Sequence, residues 1–202
     1  MKQLALILAA TGLAFAVMAE PLTFDFKDPK GVNNVVFKTD APLESINGTA
    51  TGVSGTVTFD PANPAATRGK IVVETTSMHV PNSMMEHGLQ SDAWLDAAKY
   101  PDITFEVTSV ANVKTDGDNS TADVTGTFTL HGVTNKITVP VKMTFLKDKL
   151  HDRFPKLKGD LLVIRSTFSI KRSDYGINKA KFEDKVADEI QLSLSVAGQA
   201  PK

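Results

Sequence analysis

Hydrophobic and polar residues alternate through most of the chain, with the period of two that is typical of half-buried antiparallel strands. From Val53 onward, Val, Ile, Leu and Phe occupy every second position of successive runs, with Thr, Lys, Glu and Ser between them. Turn sequences such as 61–64 and 116–119 separate the runs. The pattern predicts about eight strands. Their apolar sets are Val53, Gly55, Val57 and Phe59; Ile71 and Val73; Ile103, Phe105 and Val107; Val124, Gly126, Phe128 and Leu130; Ile137, Val139, Val141, Met143 and Phe145; Ile164, Ser166, Phe168 and Ile170; and Ile190, Leu192, Leu194 and Val196.

One segment, Ser83 to Ala98, lacks this alternation and is rich in Met, Leu, Ala and Glu. Ser83 followed three residues later by Glu86 has the spacing of a helix N-cap with its capping box. The segment therefore predicts a short helix from Ser83 to Leu89. A second helical turn is predicted within Ser91–Tyr100, ending before Pro101.

The rest of the chain has no helical pattern long enough to cover a sheet. A sheet of about eight strands without helical cover must close into a barrel or fold into a sandwich. A length of 202 residues suits one domain. The residues alone thus predict an all-β domain and leave both architectures open.

The N-terminus has the features of a secretory signal. Lys2 precedes an uncharged apolar run from Leu4 to Val17, and small residues at Val17 and Ala19 precede a cleavage point at Glu20. The run is about 14 residues, short of the roughly 20 that span a bilayer, so a retained anchor is the less favoured alternative. We expect a signal peptide at 1–19, a domain at 20–202, a periplasmic or secreted location, and no stable membrane insertion.

Composition excludes several classes of function. The formal net charge is −1, so there is no basic excess for nucleic-acid binding. The chain has no cysteine, which excludes disulfides, thiolate metal sites and a cysteine nucleophile. With 42% hydrophobic residues, a domain of this size can rely on its own core.

The residues that could carry catalysis do not form a known motif. His79 and His87 lie eight residues apart, which fits no short helical metal motif, and Glu86 points away from its neighbour His87 on a helix. There is no Gly-x-Ser-x-Gly elbow and no phosphate-binding glycine loop. We therefore expect no enzyme activity, no metal and no cofactor.

Several ordered motifs resemble one known family. Asp92–Glu106 reads DAWLDAAKYPDITFE and is the strongest match. Supporting pieces follow the same order along the chain: Gly55–Asp60, Gly126–Val133, Arg172–Ile177 and Val186–Leu194. Together they resemble the YceI-like family of exported polyisoprenoid-binding proteins, across essentially all of residues 20–202.

This resemblance implies a closed, antiparallel, eight-stranded lipocalin-like barrel around an apolar cavity. Such a barrel has room for one small ligand, and walls of Phe, Val, Ile and Met suit an apolar tail. The implied function is non-catalytic binding, for transport or storage, of a polyisoprenoid, an isoprenoid quinone or a fatty-acid derivative. The alternative is a structural or stress-related envelope interaction protein with a filled barrel that acts through its surface. A homodimer is possible in either case.

The sequence departs from the family's pattern in places that concern polar contacts to a ligand head group. The family often has His-Ser near its first strand and His-x-Gly before its second, where this chain has Asn33–Phe37 and Thr39–Glu44. The family's frequent Arg-Asp-x-His-Leu becomes Met84–Leu89.

The predicted ligand-binding residues lie on the apolar faces of the strands and on the helical segment. His87 is the candidate polar contact, and Trp94 is either a permanent plug or a wall of the cavity mouth. With Met84 and Met85, Trp94 suggests that 83–98 forms a lid. The full predicted set is Phe37, Phe59, Val73, Met84, His87, Trp94, Phe105, Val107, Phe128, Leu130, Val141, Phe145 and Phe168.

Overall fold

The computed structural model describes residues 20–202, so the predicted signal peptide lies outside the described residues. In this part of the chain, none of the helices is long and apolar enough to cross a membrane. The strands are β1 (Leu22–Asp25), β2 (Asn34–Asp40), β3 (Ser45–Ala50), β4 (Val53–Phe59), β5 (Arg68–Glu74), β6 (Met78–His79), β7 (Asp102–Asp116), β8 (Asn119–Leu130), β9 (Val133–Leu146), β10 (Gly159–Lys171) and β11 (Glu189–Pro201). The α-helices are α1 (Ser83–Gln90) and α2 (Leu150–Arg153).

The sheet closes on itself through β11. This strand pairs with β10 along one edge, and with both β1 and β2 along the other. β1 and β2 are therefore successive segments of one barrel strand, and so are β3 with β4 and β5 with β6. Counted in this way the barrel has eight antiparallel strands, which confirms the predicted closed barrel and excludes the sandwich.

A buried asparagine bridges the break between β1 and β2. The Asn33 side chain donates to the Ala197 carbonyl oxygen at 3.1 Å and accepts from the Ala197 N–H at 2.8 Å. Ala197 lies on β11 between the residues that pair with Asp25 and Asn34. The amide thus makes the two hydrogen bonds that a strand residue would make there.

One end of the barrel is packed shut. Phe24, Phe26 and Leu162 are fully buried and belong to one packed cluster at this end. α2, whose first residue Leu150 is also fully buried, lies against β10 and β11. The Phe145 ring packs edge-on against Phe24, with 6.3 Å between ring centroids. This end of the interior is therefore an ordinary hydrophobic core.

A buried carboxylate ties this end to the β1–β2 connection. Asp28 Oδ2 accepts from Arg153 Nη2 on α2 at 2.7 Å, and also from the N–H groups of Val32 and Asn33 at 2.7 and 2.8 Å. The other carboxylate oxygen accepts from the Lys30 N–H at 3.0 Å. The connection is thus folded around one charged group.

The other end is covered by α1 and the residues after it. α1 matches the predicted helix, but the predicted cap at Ser83 is wrong. Asn82 is the N-cap, because its Oδ1 accepts from the Met85 N–H at 3.1 Å, while Glu86 accepts from the Val80 N–H at 3.3 Å. Ser91–Tyr100 forms isolated turns rather than a second helix. The last of them, in which the Tyr100 N–H donates to the Asp96 carbonyl oxygen at 2.8 Å, ends before Pro101 as predicted.

The Asp28 cluster predicts a dependence of stability on pH. Burial by itself raises the pKa of Asp28, but the N–H groups of Asn33, Lys30 and Val32 and the Arg153 guanidinium together hold it below the ordinary value of 3.8. A depressed pKa contributes stability above that value, and the contribution is lost as pH falls through the folded-state pKa. We expect Asp28→Asn to lower the free energy of unfolding by about 1–3 kcal/mol near neutral pH.

The difference from wild type should shrink as the wild-type carboxylate becomes protonated in acid. Urea unfolding at a series of pH values measures this, with Asp102→Asn at the exposed start of β7 as the matched control. A loss of the same size at every pH would contradict the role of the charge.

Candidate ligand cavity

The barrel encloses a cavity of about 460 Å³ between the packed end and the covered end. Its wall is built from inward-facing residues of the strands, and it extends as far as Val57, Val139 and Met143 beside the packed end. The size falls within the range of pockets that hold small-molecule ligands. The barrel interior is thus filled with side chains at one end and contains a cavity towards the other, covered end.

Two glycines make room for large rings in this wall. A Cβ atom at Gly48 would lie 2.1 Å from the Phe37 ring, and one at Gly126 would lie 2.6 Å from the Phe105 ring. Each ring therefore lies over a glycine of the neighbouring strand. The absence of a side chain at Gly48 and Gly126 allows the rings to pack against the sheet.

Nine of the predicted ligand-binding residues line the cavity. This places them where a ligand could contact them, and their role in binding stays a prediction. The nine are Phe37, Val73, Trp94, Phe105, Val107, Phe128, Leu130, Val141 and Phe168.

The other four predicted residues do not line the cavity. Phe59 and Phe145 point inward but pack against each other within the closed end, with 6.1 Å between ring centroids. Met84 is 82% exposed and His87 is exposed as well. The reason is the phase of α1, whose Met85, Gly88 and Leu89 share the inward face at spacings of three and four.

A buried arginine organises the cover of the cavity. Arg172 lines the cavity and is 3% exposed, and its guanidinium lies 5.8 Å from the Trp94 ring. All five of its N–H donors are used by backbone carbonyl groups of one loop, residues 177–187, which we call the roof loop. The acceptors are the carbonyl oxygens of Ala187 for Nε, Ile177 and Asn178 for Nη1, and Lys181 and Val186 for Nη2.

Asp188 fastens the end of the roof loop to the turn that contains Arg172. Its carboxylate accepts from the Ser173 N–H at 2.9 Å and from the Ser173 hydroxyl at 2.8 Å. Burial raises the pKa of Asp188, but the two Ser173 hydrogen bonds and the nearby Arg172 charge outweigh it and lower the pKa below its ordinary value. The lowered pKa favours the charged form of Asp188, which accepts both hydrogen bonds from Ser173 in this turn.

The cavity reaches the surface beside the roof loop. Four residues mark this mouth: Glu44 after β2, Met85 on α1, and Phe182 and Lys185 on the roof loop. Phe182 is 54% exposed and its ring centroid is 6.0 Å from that of Trp94. A hydrogen bond from the Leu43 N–H to the Asp184 carbonyl oxygen, 2.9 Å long, joins the two sides of the mouth.

The roof loop has a strained backbone at the mouth. Asn178, Ala180 and Phe182 have φ values of 43°, 57° and 58°, in the left-handed region that residues with side chains rarely adopt. Backbone in such conformations persists only where surrounding contacts determine it, and it is common at ligand clamps and lids. The Arg172 hydrogen bonds supply those contacts here.

Polar side chains in the wall are few, and the alternating pattern had placed one of them, Ser166, on the inward face of its strand. Thr67 and Ser166 line the cavity and donate to the Pro64 and Pro140 carbonyl oxygens, each at 2.6 Å. Thr39 also lines it, and over residues 20–202 its hydroxyl is the buried side-chain group without a hydrogen-bond partner. Thr39 and Thr67 were missed, because Thr39 follows an unbroken apolar run at 35–37 that does not fix the phase of the strand, and Thr67 lies outside the strands.

The histidines lie away from the cavity wall. His79 Nδ1 is 3.2 Å from Glu86 Oε2, and this contact joins β6 to α1. Within residues 20–202 no group of three or more His, Cys, Asp or Glu side chains is placed to hold a metal ion. Over the same residues the cavity wall contains one carboxylate, Glu44, and no histidine.

A closed eight-stranded barrel around an apolar cavity belongs to the class of barrels whose interior has room for one small molecule. The sequence profile described as “YceI-like domain” matches residues 28–197. The chain therefore belongs to the YceI-like family.

Individual relatives agree with this assignment. “Protein YceI” of Escherichia coli is 42% identical over 96 residues, which cover 48% of this chain and 48% of that protein. The chain thus matches about half the length of this curated relative.

Solved structures show the same fold. BcnA of Burkholderia cenocepacia has a TM-score of 0.66 at 24% identity, covering 82% of this chain and 95% of that one. A polyisoprenoid binding domain from Saccharophagus degradans has a TM-score of 0.63 at 14% identity, covering 90% of this chain and all of the other.

The contrast between the two ends of the interior predicts different costs for losing a phenylalanine. Phe24→Ala in the packed end should lower the free energy of unfolding by about 3–5 kcal/mol, because it leaves a new void. Phe105→Ala in the cavity wall should cost less, about 1–3 kcal/mol, because its ring already borders empty space. Urea denaturation measures both values. Equal losses in the full core range, with no effect on lipid binding, would favour the filled-barrel alternative.

Proposed function

We propose that this protein binds one amphiphile with a long apolar tail inside its barrel and carries or stores it without chemical change. The fold and the polyisoprenoid-binding neighbour support a binding role. A polyisoprenoid, an isoprenoid quinone and a fatty-acid derivative all fit this description. The observation that carries the proposal is the apolar cavity of about 460 Å³ with a mouth at one end.

The lining of the cavity favours binding over catalysis. A hydrolase would need a nucleophile beside a base and a group that orients the base. The Ser166 hydroxyl donates to a backbone carbonyl, and Glu44 lies at the mouth rather than beside it. The wall therefore offers a ligand mainly apolar contact, which suits retention.

The open half of the interior also favours binding over the filled-barrel alternative. Close-packed interiors leave few voids larger than a water molecule. A surface-acting protein has no need of an apolar cavity, which forfeits dispersion contacts along its whole wall. A bound tail would restore those contacts.

We further propose that the ligand enters at the mouth, between α1 and the roof loop. The opposite end is closed by the packed cluster that contains Phe24, Phe26 and Leu162. At the mouth, Met85 and Phe182 are both exposed, and methionine adapts readily to apolar ligands of different shape. Trp94 lies just inside and contacts Phe182, so its surroundings should change on binding.

Recovery of the protein from the periplasm of its host tests function and export together. The intact mass should correspond to a chain that begins at Glu20, and organic extraction should release an apolar lipid in about equimolar amount. Val107→Phe, which fills the cavity from β7, should lower lipid affinity about 5- to 150-fold, because overpacking an occupied site costs about 1–3 kcal/mol.

The matched control is Thr108→Phe, which adds the same ring to the exposed neighbouring position. It should leave the lipid content unchanged. Protein that carries no lipid from its host, and binds none after delipidation, would contradict the proposed function.

Fluorescence of Trp94 tests the entrance, because this is the single tryptophan of the chain. Titration of delipidated protein with geranylgeraniol should shift or quench the emission saturably, because the indole borders the path to the cavity. Binding seen by native mass spectrometry with unchanged Trp94 emission would place the entrance elsewhere, at the 61–68 or 147–158 loops.

A further inference from the structure

The polar atoms of the cavity wall differ in whether they have a partner. The Thr67 and Ser166 hydroxyls each donate to a backbone carbonyl oxygen, and Arg172 uses all five donors on the roof loop. Thr39 is the exception among the buried side chains of residues 20–202. It is 5% exposed, it lines the cavity, and its Oγ1 atom has no hydrogen-bond partner.

The strand itself directs Thr39 inward. Val35, Phe37 and Thr39 alternate along β2 and all line the cavity, so the third inward position is polar where the first two are apolar. A buried hydroxyl without a partner costs free energy that an apolar side chain of the same shape would not. A hydroxyl at this position therefore suggests a partner that comes from outside the chain.

We propose that the Thr39 hydroxyl binds a neutral oxygen group of the ligand, a hydroxyl or a carbonyl, just inside the mouth. This rests on the proposed function, and it sets the direction of the bound molecule. The oxygen-bearing end faces the mouth, and the apolar tail runs towards Met143 at the packed end.

The position of Thr39 supports this direction. It is the last but one residue of β2 and pairs with Ile46, while Glu44 at the mouth lies two residues before Ile46. At the far end of the cavity Val57 and Met143 are almost completely buried and apolar. The Thr67 hydroxyl beside Met143 already donates to the Pro64 carbonyl oxygen, so it has no proton left for a ligand carbonyl at that end.

The surroundings give a charged head group no net advantage, because the two charged residues at the mouth, Lys185 and Glu44, are of opposite sign. The guanidinium nearest to the cavity, that of Arg172, has no free donor for a carboxylate or a phosphate. A hydroxyl such as that of Thr39 can both donate and accept, so it suits an alcohol as well as a carbonyl.

The test compares two probes of equal chain length, dodecanol and dodecane, on delipidated protein. Thr39→Val is nearly isosteric and removes only the hydroxyl, and Thr39→Ser keeps the hydroxyl. We expect Thr39→Val to weaken dodecanol binding about 2- to 12-fold, the range of one neutral hydrogen bond, without weakening dodecane binding. Thr39→Ser should retain the preference for dodecanol. Trp94 fluorescence and native mass spectrometry both report the affinities.

A second measurement does not depend on any ligand. Because the unpartnered hydroxyl is costly in the empty protein, Thr39→Val should raise the melting temperature of delipidated protein by about 2–6 °C. Equal dodecanol affinity in wild type and Thr39→Val, or an equal loss for both probes, would overturn the role of Thr39 while the proposed function stands. Failure of the wild type to bind either probe would instead count against the proposed function.

Discussion

The structure depends on one closure, the pairing of β11 with the first strand of the barrel. That strand is broken into β1 and β2, and the Asn33 amide makes the two hydrogen bonds to Ala197 that the break would otherwise leave unmade. A closed sheet has no free edge, and its circumference fixes the space inside. Phenylalanines fill that space at one end, and at the other end it remains as the cavity.

The cover of the cavity depends on a second polar group. Irregular backbone over an apolar space needs partners for its carbonyl groups, and Arg172 supplies five donors from one side chain. Its charge is spread over carbonyl oxygens and the Trp94 ring rather than paired with one carboxylate. Because every donor is occupied, this arginine shapes the mouth and leaves recognition of the ligand to other residues.

The alternating pattern was sufficient to predict an all-β domain and to place most of the strand residues that line the cavity on inward faces, because it identifies the face of a strand. The choice of a closed barrel over a sandwich came from the resemblance to the YceI-like family. It does not show how deep a residue lies, so Phe145 was assigned to the cavity although it packs in the closed end. It also fails on β2, where Val36 faces outward and Thr39 faces inward. Met84 was assigned to the cavity because the sequence does not show which face of α1 points inward. The orientation of a two-turn helix depends on its cap and on the elements it packs against.

The closure of the barrel through β11 has a consequence for the order of folding. β7 to β11 pair in sequence order, so each meets the strand next to it along the chain, across connections of 2 to 17 residues. The contact that completes the ring instead joins Asp25 to Gln199, almost the full length of the domain apart. Contacts at such separations are slow to form. In a chain that emerges N-terminus first, β1 and β2 therefore stay unpaired with β11 until this last strand has emerged. The cavity forms only at that final step.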